Sequence, residues 1–360
     1  MSTSPAMIDL VGKRPRCPSR PLHLFCLIAV ALAAGCSKQQ PRVVLYCAQD
    51  PEFAEEALGE FTRRTGLSVT PQYDTEANKS ISLYEKLVRE GRRPRCDVFW
   101  NNEILSTIRL DRQGLLEPYD SPSAQPFRAR DKAKNHTWCA FADRARVLIV
   151  NTKLVPEADR PRSLFDLTQA RWKGRAAMAK PEAGTSATQA VCLFEVLGPD
   201  RAKEYYRSLR RNKIAIVAGN KDVAEGVSHG QFAIGVTDTD DAAGELEAGR
   251  PVAIVFPDAD RPKGGRMGTL FIPNTVAIMR GCPNPDGARR LVDYLLSAEV
   301  ETNLAKSASR QIPLNPEVKV GPQAPIEAAA HAKRMDVDFD KAADLWEEAQ
   351  TFLRTEFGAP

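Results

Sequence analysis

The sequence predicts an α/β protein of two lobes, each a mostly parallel sheet flanked by helices, joined by two hinge strands. Three observations predict it. Short apolar runs alternate with helix-period segments between Val43 and Gly114. The same alternation resumes between Ala176 and Phe256. Strands alternating with helices imply βαβ units and parallel pairing. Between and after these blocks lie two further apolar runs, Val147–Asn151 and Thr269–Met279, which read as crossings between lobes. At 360 residues the chain is long enough for both.

In the first block Val43–Cys47 is a β-branched run. Pro51–Arg64 places Phe53, Ala57, Leu58 and Phe61 at helical spacing, and Gly66 closes that helix. Leu67–Tyr73 reads as a strand, and Ser80–Gly91 as a helix with Ile81, Tyr84, Leu87 and Val88 on one face. Asp97–Trp100 is a strand and Ile104–Gln113 a helix closed by Gly114. Trp138–Phe141 and Arg144 lead into the first crossing. The second block reads strand Ala176–Ala179, helices Ser186–Leu197 and Pro199–Arg211, strand Ile214–Val217, helix Asp222–His229, strand Ala233–Thr237 and strand Val252–Phe256. The Pro-, Gly- and charge-rich loop Pro257–Gly268 precedes the return crossing. Helices follow at Asp286–Ser297 and Glu299–Ser307. A closing helix, Asp340–Arg354, presents Ala342, Leu345, Trp346, Ala349, Phe352 and Leu353 on one face. The implied boundaries are 43–142 plus 268–318 for the first lobe and 143–267 plus 319–356 for the second.

The N-terminus reads as an export signal over residues 1–35. Lys13, Arg14, Arg16 and Arg20 precede a short apolar core, Leu22–Ala34. It ends in Leu32-Ala33-Ala34-Gly35-Cys36, which resembles a bacterial lipobox with Cys36 as the lipidated first residue of the mature protein. An ordinary signal cleavage nearby is the other reading, and both export the chain. The net charge of +4, part of it in this segment, gives no electrostatic case for nucleic-acid binding. Cys47, Cys96, Cys139, Cys192 and Cys282 are too widely spaced for a disulfide framework, although one pairing stays open. With four His in the chain and no Cys/His pair at metal spacing, a zinc site is not expected.

The chemistry concentrates at Ile234-Gly235-Val236-Thr237-Asp238-Thr239-Asp240-Asp241, an apolar strand ending in three carboxylates and two hydroxyls. Ligands of open α/β folds bind beyond the carboxyl ends of strands. Anionic oxygens there suit a hard metal ion or a protonated amine. The plain alternative is that Asp240 or Asp241 caps a helix beginning near Ala242. Crowded acids repel unless a cation is present, so Asn at 238 and 240 is expected to abolish binding and leave the unliganded melting temperature equal or higher. Gly184-Thr185-Ser186-Ala187-Thr188 opens a helix and offers either an anion site or simple capping by Thr185 or Ser186. Asp50, Asn102 and Glu103 end strands of the first lobe and are either ligand contacts or caps. Asn220 caps the Asp222 helix and also stands near the solute. Arg144 and Arg146 either face an anion or form internal ion pairs.

Taken in order, VLYCAQD (Val44–Asp50), CDVFWNNE (Cys96–Glu103), RWKG (Arg171–Gly174), GTSA (Gly184–Ala187) and the TDTDD strand end resemble the ferric-ion class of bacterial periplasmic solute-binding proteins, from Val43 to Pro313. That resemblance implies a type II periplasmic-binding fold, hinge closure on one small solute and an ABC permease as partner. It implies ferric iron or another hard metal held with a companion anion at the GTSAT turn, and no other cofactor. The family's iron ligands are a His, a Glu and two adjacent Tyr. Here Asp50, Asn102 (beside Glu103), Thr239 and Asp240 stand at those places. Tyr205-Tyr206 lie inside a helix, where neighbours point about 100° apart, and are assigned to the core. A small zwitterion such as an aminophosphonate is the second ligand type, with its amine on the aspartates and its phosphonate on GTSAT. No nucleophile elbow or HExxH supports the competing class of exported acid–base hydrolase built on Asp238 and Asp240. A sensor lipoprotein of the same fold is a third class. The expected state is a periplasmic, membrane-anchored monomer.

Overall fold

A computed structural model describes residues 42–74, 81–259, 265, 267–321 and 325–358. The signal segment with Cys36 lies outside the described residues, as do Ser80, Pro322 and part of the loop 257–268. The strands are β1 (Arg42–Cys47), β2 (Ser68–Tyr73), β3 (Val98–Asn101), β4 (Leu116–Glu117), β5 (Trp138–Asn151), β6 (Ala176–Ala179), β7 (Ala215–Val217), β8 (Ile234–Asp238), β9 (Val252–Val255) and β10 (Phe271–Met279). The helices are α1 (Pro51–Thr65), α2 (Ile81–Glu90), α3 (Ile104–Arg112), α4 (Gly184–Leu197), α5 (Pro199–Arg211), α6 (Asn220–Ser228), α7 (Thr239–Glu247), α8 (Pro285–Leu295), α9 (Ala298–Lys306), α10 (Ile326–His331), α11 (Phe339–Asp344) and α12 (Trp346–Phe357).

Strand order is β2-β1-β3-β10-β5-β8-β6-β7, with β4 beside β10 and β9 beside β5. Each half is parallel at its outer edge: β1 with β2 and β3, β6 with β7 and β8. The middle is antiparallel, β10 against β3 and β5, and β5 against β8. The fourteen-residue β5 joins the halves: residues up to Ala145 pair with β10, and those from Arg146 pair with β8 and β9. The runs Trp138–Phe141 and Val147–Asn151 are thus one strand. Its near-complete burial explains the apolar runs at its two ends, because helices cover both faces, while Asp143, Arg144 and Arg146 are buried in its middle.

One core surrounds Phe61, Trp100, Phe141 and Leu291 in the first half. In the second half, one core holds Leu148, Phe194, Tyr206 and Leu353, and another holds Val147, Ile149, Val223 and Val227. Ile104, Leu105 and Ile108 of α3 join the Phe194 core, where α3 meets α11.

Packing moved several boundaries. On α2, Leu83 and Leu87 are buried and Val88 is exposed, so the buried face is rotated from the one read off the sequence. The closing helix is two, because the chain turns at Leu345: α11 buries Ala342 and Ala343, while α12 buries Ala349 and Leu353. Helix α7 begins at Thr239 rather than near Ala242, so Asp240 and Asp241 occupy its first turn and neither is the cap. Helix α6 starts at Asn220, one residue after its cap, Gly219, whose N–H donates to Asp222.

Between β5 and β10 the register shifts. Pro273 pairs with Asp143 and Asn274 with Phe141, leaving Ala142 as an extra residue. Ala142 has φ 47°, a left-handed conformation costing a non-glycine residue about 1–2 kcal/mol. Its N–H donates to Glu301 Oε1 (2.6 Å) and its carbonyl accepts from Asn274 Nδ2 (2.6 Å). An extra residue reverses which side chains share a face. Beyond the bulge Arg144 lies on the face of Phe141 and Cys139, and Asp143 on that of Ala140 and Trp138.

Gly235 in β8 is required by close approach. A Cβ there would lie 2.3 Å from Val223 Cγ1 and 3.2 Å from Val227 Cγ2, both on α6. Gly235→Ala is expected to lower stability by roughly 1–3 kcal/mol, read as a lower urea midpoint with unchanged slope.

Candidate functional site

The carboxyl end of β8 delivers Asp238, which pairs in the ladder with Arg146 of β5. Side chains opposite each other share a face, so a carboxylate and a guanidinium meet inside the sheet. Arg146 is fully buried and all three of its nitrogens donate. Nη1 reaches Asp238 Oδ1 (2.8 Å), Asn220 Oδ1 (2.9 Å) and Thr185 Oγ1 (3.3 Å). Nε reaches Gln189 Oε1 (3.0 Å) and Nη2 reaches Ser186 Oγ (3.3 Å). The second oxygen of Asp238 accepts from Thr185 Oγ1 (2.5 Å) and Asn220 Nδ2 (3.2 Å). One guanidinium thus organises five side chains from α4, α6 and β8.

Two residues earlier, Arg144 makes the parallel arrangement. Its Nη1 lies 3.4 Å from Asp240 Oδ2 and its Nη2 donates to the Asn102 carbonyl of the first half. Its Nε is buried without a partner. Burial works against each charge, but the pairs prevail. Arg146, then Arg144 and the hydrogen bond from Thr185, hold the Asp238 carboxyl below the usual carboxylate range. Asp240, then Asp238, push the Arg144 guanidinium up. Oxygens of Asp238, Asp240 and Asp241 lie within 4.8 Å of one another. Arg146 and Arg144 offset part of their mutual repulsion.

These groups border a narrow cleft, with an accessible volume of about 20 Å³, lined among others by Asp50, Asn102, Arg144, Lys180, Gly184, Thr185, Asn220, Asp238, Asp240 and Asp241. Asp50 precedes α1 at its N-cap position without a side-chain cap bond, with Pro51 setting the first turn. Helix α4 starts at Gly184 with no side-chain cap. The hydroxyls of Thr185 and Ser186 turn to Arg146 and Asp238 instead. The capping reading of those two residues is therefore replaced by a role in the Arg146 network. Asn220 likewise serves Arg146 and Asp238, not the helix end.

Four expected site residues do not border the cleft. Glu103 is the N-cap of α3, accepting from Leu105 N (2.7 Å) and Ser106 N (3.0 Å), and it also accepts from Thr188 Oγ1 of α4 (2.8 Å), tying the halves together. Thr237 donates to the Asn220 carbonyl (2.9 Å), and Thr239 accepts from Ala145 N (3.1 Å). Ser186 contacts Arg146 behind the cleft wall. Tyr205 and Tyr206 are core residues, packed edge to face at 5.3 Å. Cys47, Cys96, Cys139, Cys192 and Cys282 are all buried and form no disulfide with one another. Sequence reasoning missed Lys180, an exposed cation at the cleft, and Gln189, the Nε partner of Arg146. A lysine just after an apolar strand was the available signal for the first. Gln189 carried none beyond its place one turn after Ser186.

The ion pairs reverse the stability expected for the acids. Removing one member of a buried pair strands the other charge, so Arg146→Met and Asp238→Asn are each expected to cost about 3–5 kcal/mol and to lower the melting temperature. The pH sign follows from the depressed Asp238 pKa. Its contribution is full above the ordinary Asp pKa of about 3.9 and is lost as pH falls through the folded value. The stability gap between wild type and Asp238→Asn is expected to close only in acid below that point, as read by urea titrations at graded pH.

Residues 56–334 match the family described as bacterial extracellular solute-binding protein. The major ferric iron-binding protein of Neisseria meningitidis serogroup A is 26% identical over 339 residues, covering 90% of this chain and 97% of the relative. The ferric binding protein from Campylobacter jejuni superposes with a TM-score of 0.77 at 23% identity, over 88% of this chain and 99% of that one. AfuA from Actinobacillus pleuropneumoniae, with exogenous fructose-6-phosphate bound, gives 0.77 at 23% identity, over 89% and 99%. With its two half-sheets sharing a crossing strand and its polar cleft at their strand ends, this chain belongs to the bacterial extracellular solute-binding protein family.

Proposed function

We propose that the chain is the extracytoplasmic solute-binding component of an ABC importer, a receptor rather than an enzyme. It takes ferric iron, or another hard metal ion, together with a companion anion such as carbonate, phosphate or citrate. Closure brings lobe 43–142 plus 268–318 against lobe 143–267 plus 319–356. The observation that carries this reading is the charge balance of the cleft. Four carboxylates (Asp50, Asp238, Asp240, Asp241) meet three cations (Arg144, Lys180 and, just behind, Arg146). A nearly balanced cleft favours a ligand that is itself nearly neutral with its charges separated, because a bare ion would leave one sign uncompensated. A ferric–anion pair has that form. Asp240, Asp241 and Asp50 face the metal from both lobes as hard oxygen ligands. The uncapped N-terminus of α4 at Gly184 and Thr185, with Lys180, faces the anion. Ser186, Asn220 and Asp238 act through Arg146, and Glu103, Thr237 and Thr239 through the backbone they hold.

A zwitterion such as an aminophosphonate is the second reading. It is favoured by the guanidiniums that already occupy Asp238 and Asp240, and the same charge balance fits it. Native mass spectrometry on the exported chain beginning after Cys36 separates the two. An increment of metal plus anion supports the first reading and an organic increment the second. No increment from either class, after incubation with ferric citrate or 2-aminoethylphosphonate, contradicts both.

The receptor is periplasmic, monomeric and held at the membrane by lipid on Cys36. Cys36→Ser is expected to move it from the membrane to the soluble fraction, measured by fractionation and immunoblot. A variant that stays in the membrane pellet contradicts the anchor.

A further inference from the structure

Glu301, on α9, is 159 positions from Ala142 in sequence order and borders no part of the cleft, yet it holds the segment that aims both arginines. Its side chain is buried, and every hydrogen bond it accepts comes from backbone at the junction of the halves. Oε1 takes Ala142 N (2.6 Å) and Leu314 N (3.1 Å), and Oε2 takes Asn315 N (2.6 Å). The neighbouring Asp143 exchanges both backbone bonds with Ile312, so the segment that Glu301 grips is itself paired to β5. Ala142 has no ladder partner and sits in a conformation that disfavours any side chain. Without that extra residue, the face carrying Arg144, Arg146 and the ladder partner Asp238 would continue the face of Trp138 and Ala140 instead of that of Phe141 and Cys139, presenting the arginines to the other side of the first half's sheet, away from the Asn102 carbonyl.

We propose that Glu301 is a positioning residue for the solute site: by holding Ala142 in the β5 bulge, it sets which face of the first half's sheet continues into the face carrying Arg144, Arg146 and Asp238. This rests on the cleft being the solute site. Burial pushes the Glu301 carboxyl up to about 7, opposed by its three backbone donors and reinforced by Asp143. The titratable groups facing it are Asp143, itself paired with Arg334, and the Cys139 thiol. The segment 314–315 offers it only N–H groups. A raised carboxyl pKa supports the closed bulge fully below the ordinary Glu value. That support is lost as pH rises through about 7.

The test is hydrogen exchange of the 142–146 amides, corrected for intrinsic rates, alongside ferric citrate affinity. In Glu301→Ala, with unchanged far-UV circular dichroism, exchange is expected to quicken about ten-fold and ferric citrate affinity to fall about ten-fold. Glu301→Gln keeps an acceptor and removes the titration. It is expected to bring both only part of the way back to wild type, because its amide NH2 faces the Asn315 N–H that Oε2 accepted. It is also expected to abolish the loss of protection that wild type shows as pH rises from 6 to 8. Wild-type exchange rates at 142–146 in Glu301→Ala overturn the proposal. If that variant does not fold, persistence of the wild-type pH trend in Glu301→Gln overturns it. A wild-type protein that ignores ferric citrate contradicts the ferric reading alone, since exchange still decides the role of Glu301.

Discussion

Two buried ion pairs on one strand set the geometry of this protein. Arg144 and Arg146 stand two residues apart on β5, so both project from one face, toward Asp240 and Asp238 at the end of β8. A buried charge is tolerable only when paired and hydrogen-bonded, and each guanidinium reaches across several elements to achieve this. Arg146 gathers α4, α6 and β8; Arg144 spans to the Asn102 carbonyl of the first half. The strand ends are thereby fixed relative to one another before a solute arrives. Preorganisation of this kind spares a binding site the cost of ordering its own side chains.

A cleft of four carboxylates and three cations carries little excess negative charge. It offers alternating sign: Asp50 and Asp241 on one side, Lys180 and an uncapped helix start on the other. The contacts that join the halves (Glu103 with Thr188, Arg144 with Asn102) lie behind the cleft and are buried. The solute therefore meets walls already held together at their base.

Much of this was legible in the sequence. Alternating strand and helix periods gave the two lobes, and the abrupt change from Val236 to Asp238 marked residues that line the cleft. What the residues could not disclose was pairing. Asp238 and Arg146 are 92 positions apart and meet only because the β5–β8 register sets them opposite. Lacking that register, the acids looked like an uncompensated cluster awaiting a cation. Thr185, Ser186 and Asn220 looked like caps for the same reason: a short polar residue at a helix start is usually satisfied locally, whereas a buried guanidinium is a stronger acceptor-seeker than a backbone N–H. The bulge at Ala142 left no trace, since Ala is not a residue that signals left-handed backbone. The break at Leu345 was equally silent, because α3, α4 and α5 rather than a Gly or Pro dictate it.

The account stands on Arg146 and Asp238 acting as one unit, and a double-mutant cycle measures that directly. Stability would be determined for wild type, Arg146→Met, Asp238→Asn and the double variant by urea unfolding. A coupling energy of about 1.5 kcal/mol or more, with the double variant well short of the sum of the singles, is the predicted result. Additive losses would contradict it: the guanidinium and the carboxylate would then be separately satisfied, and the cleft would be free to hold a cation on an uncompensated acid cluster.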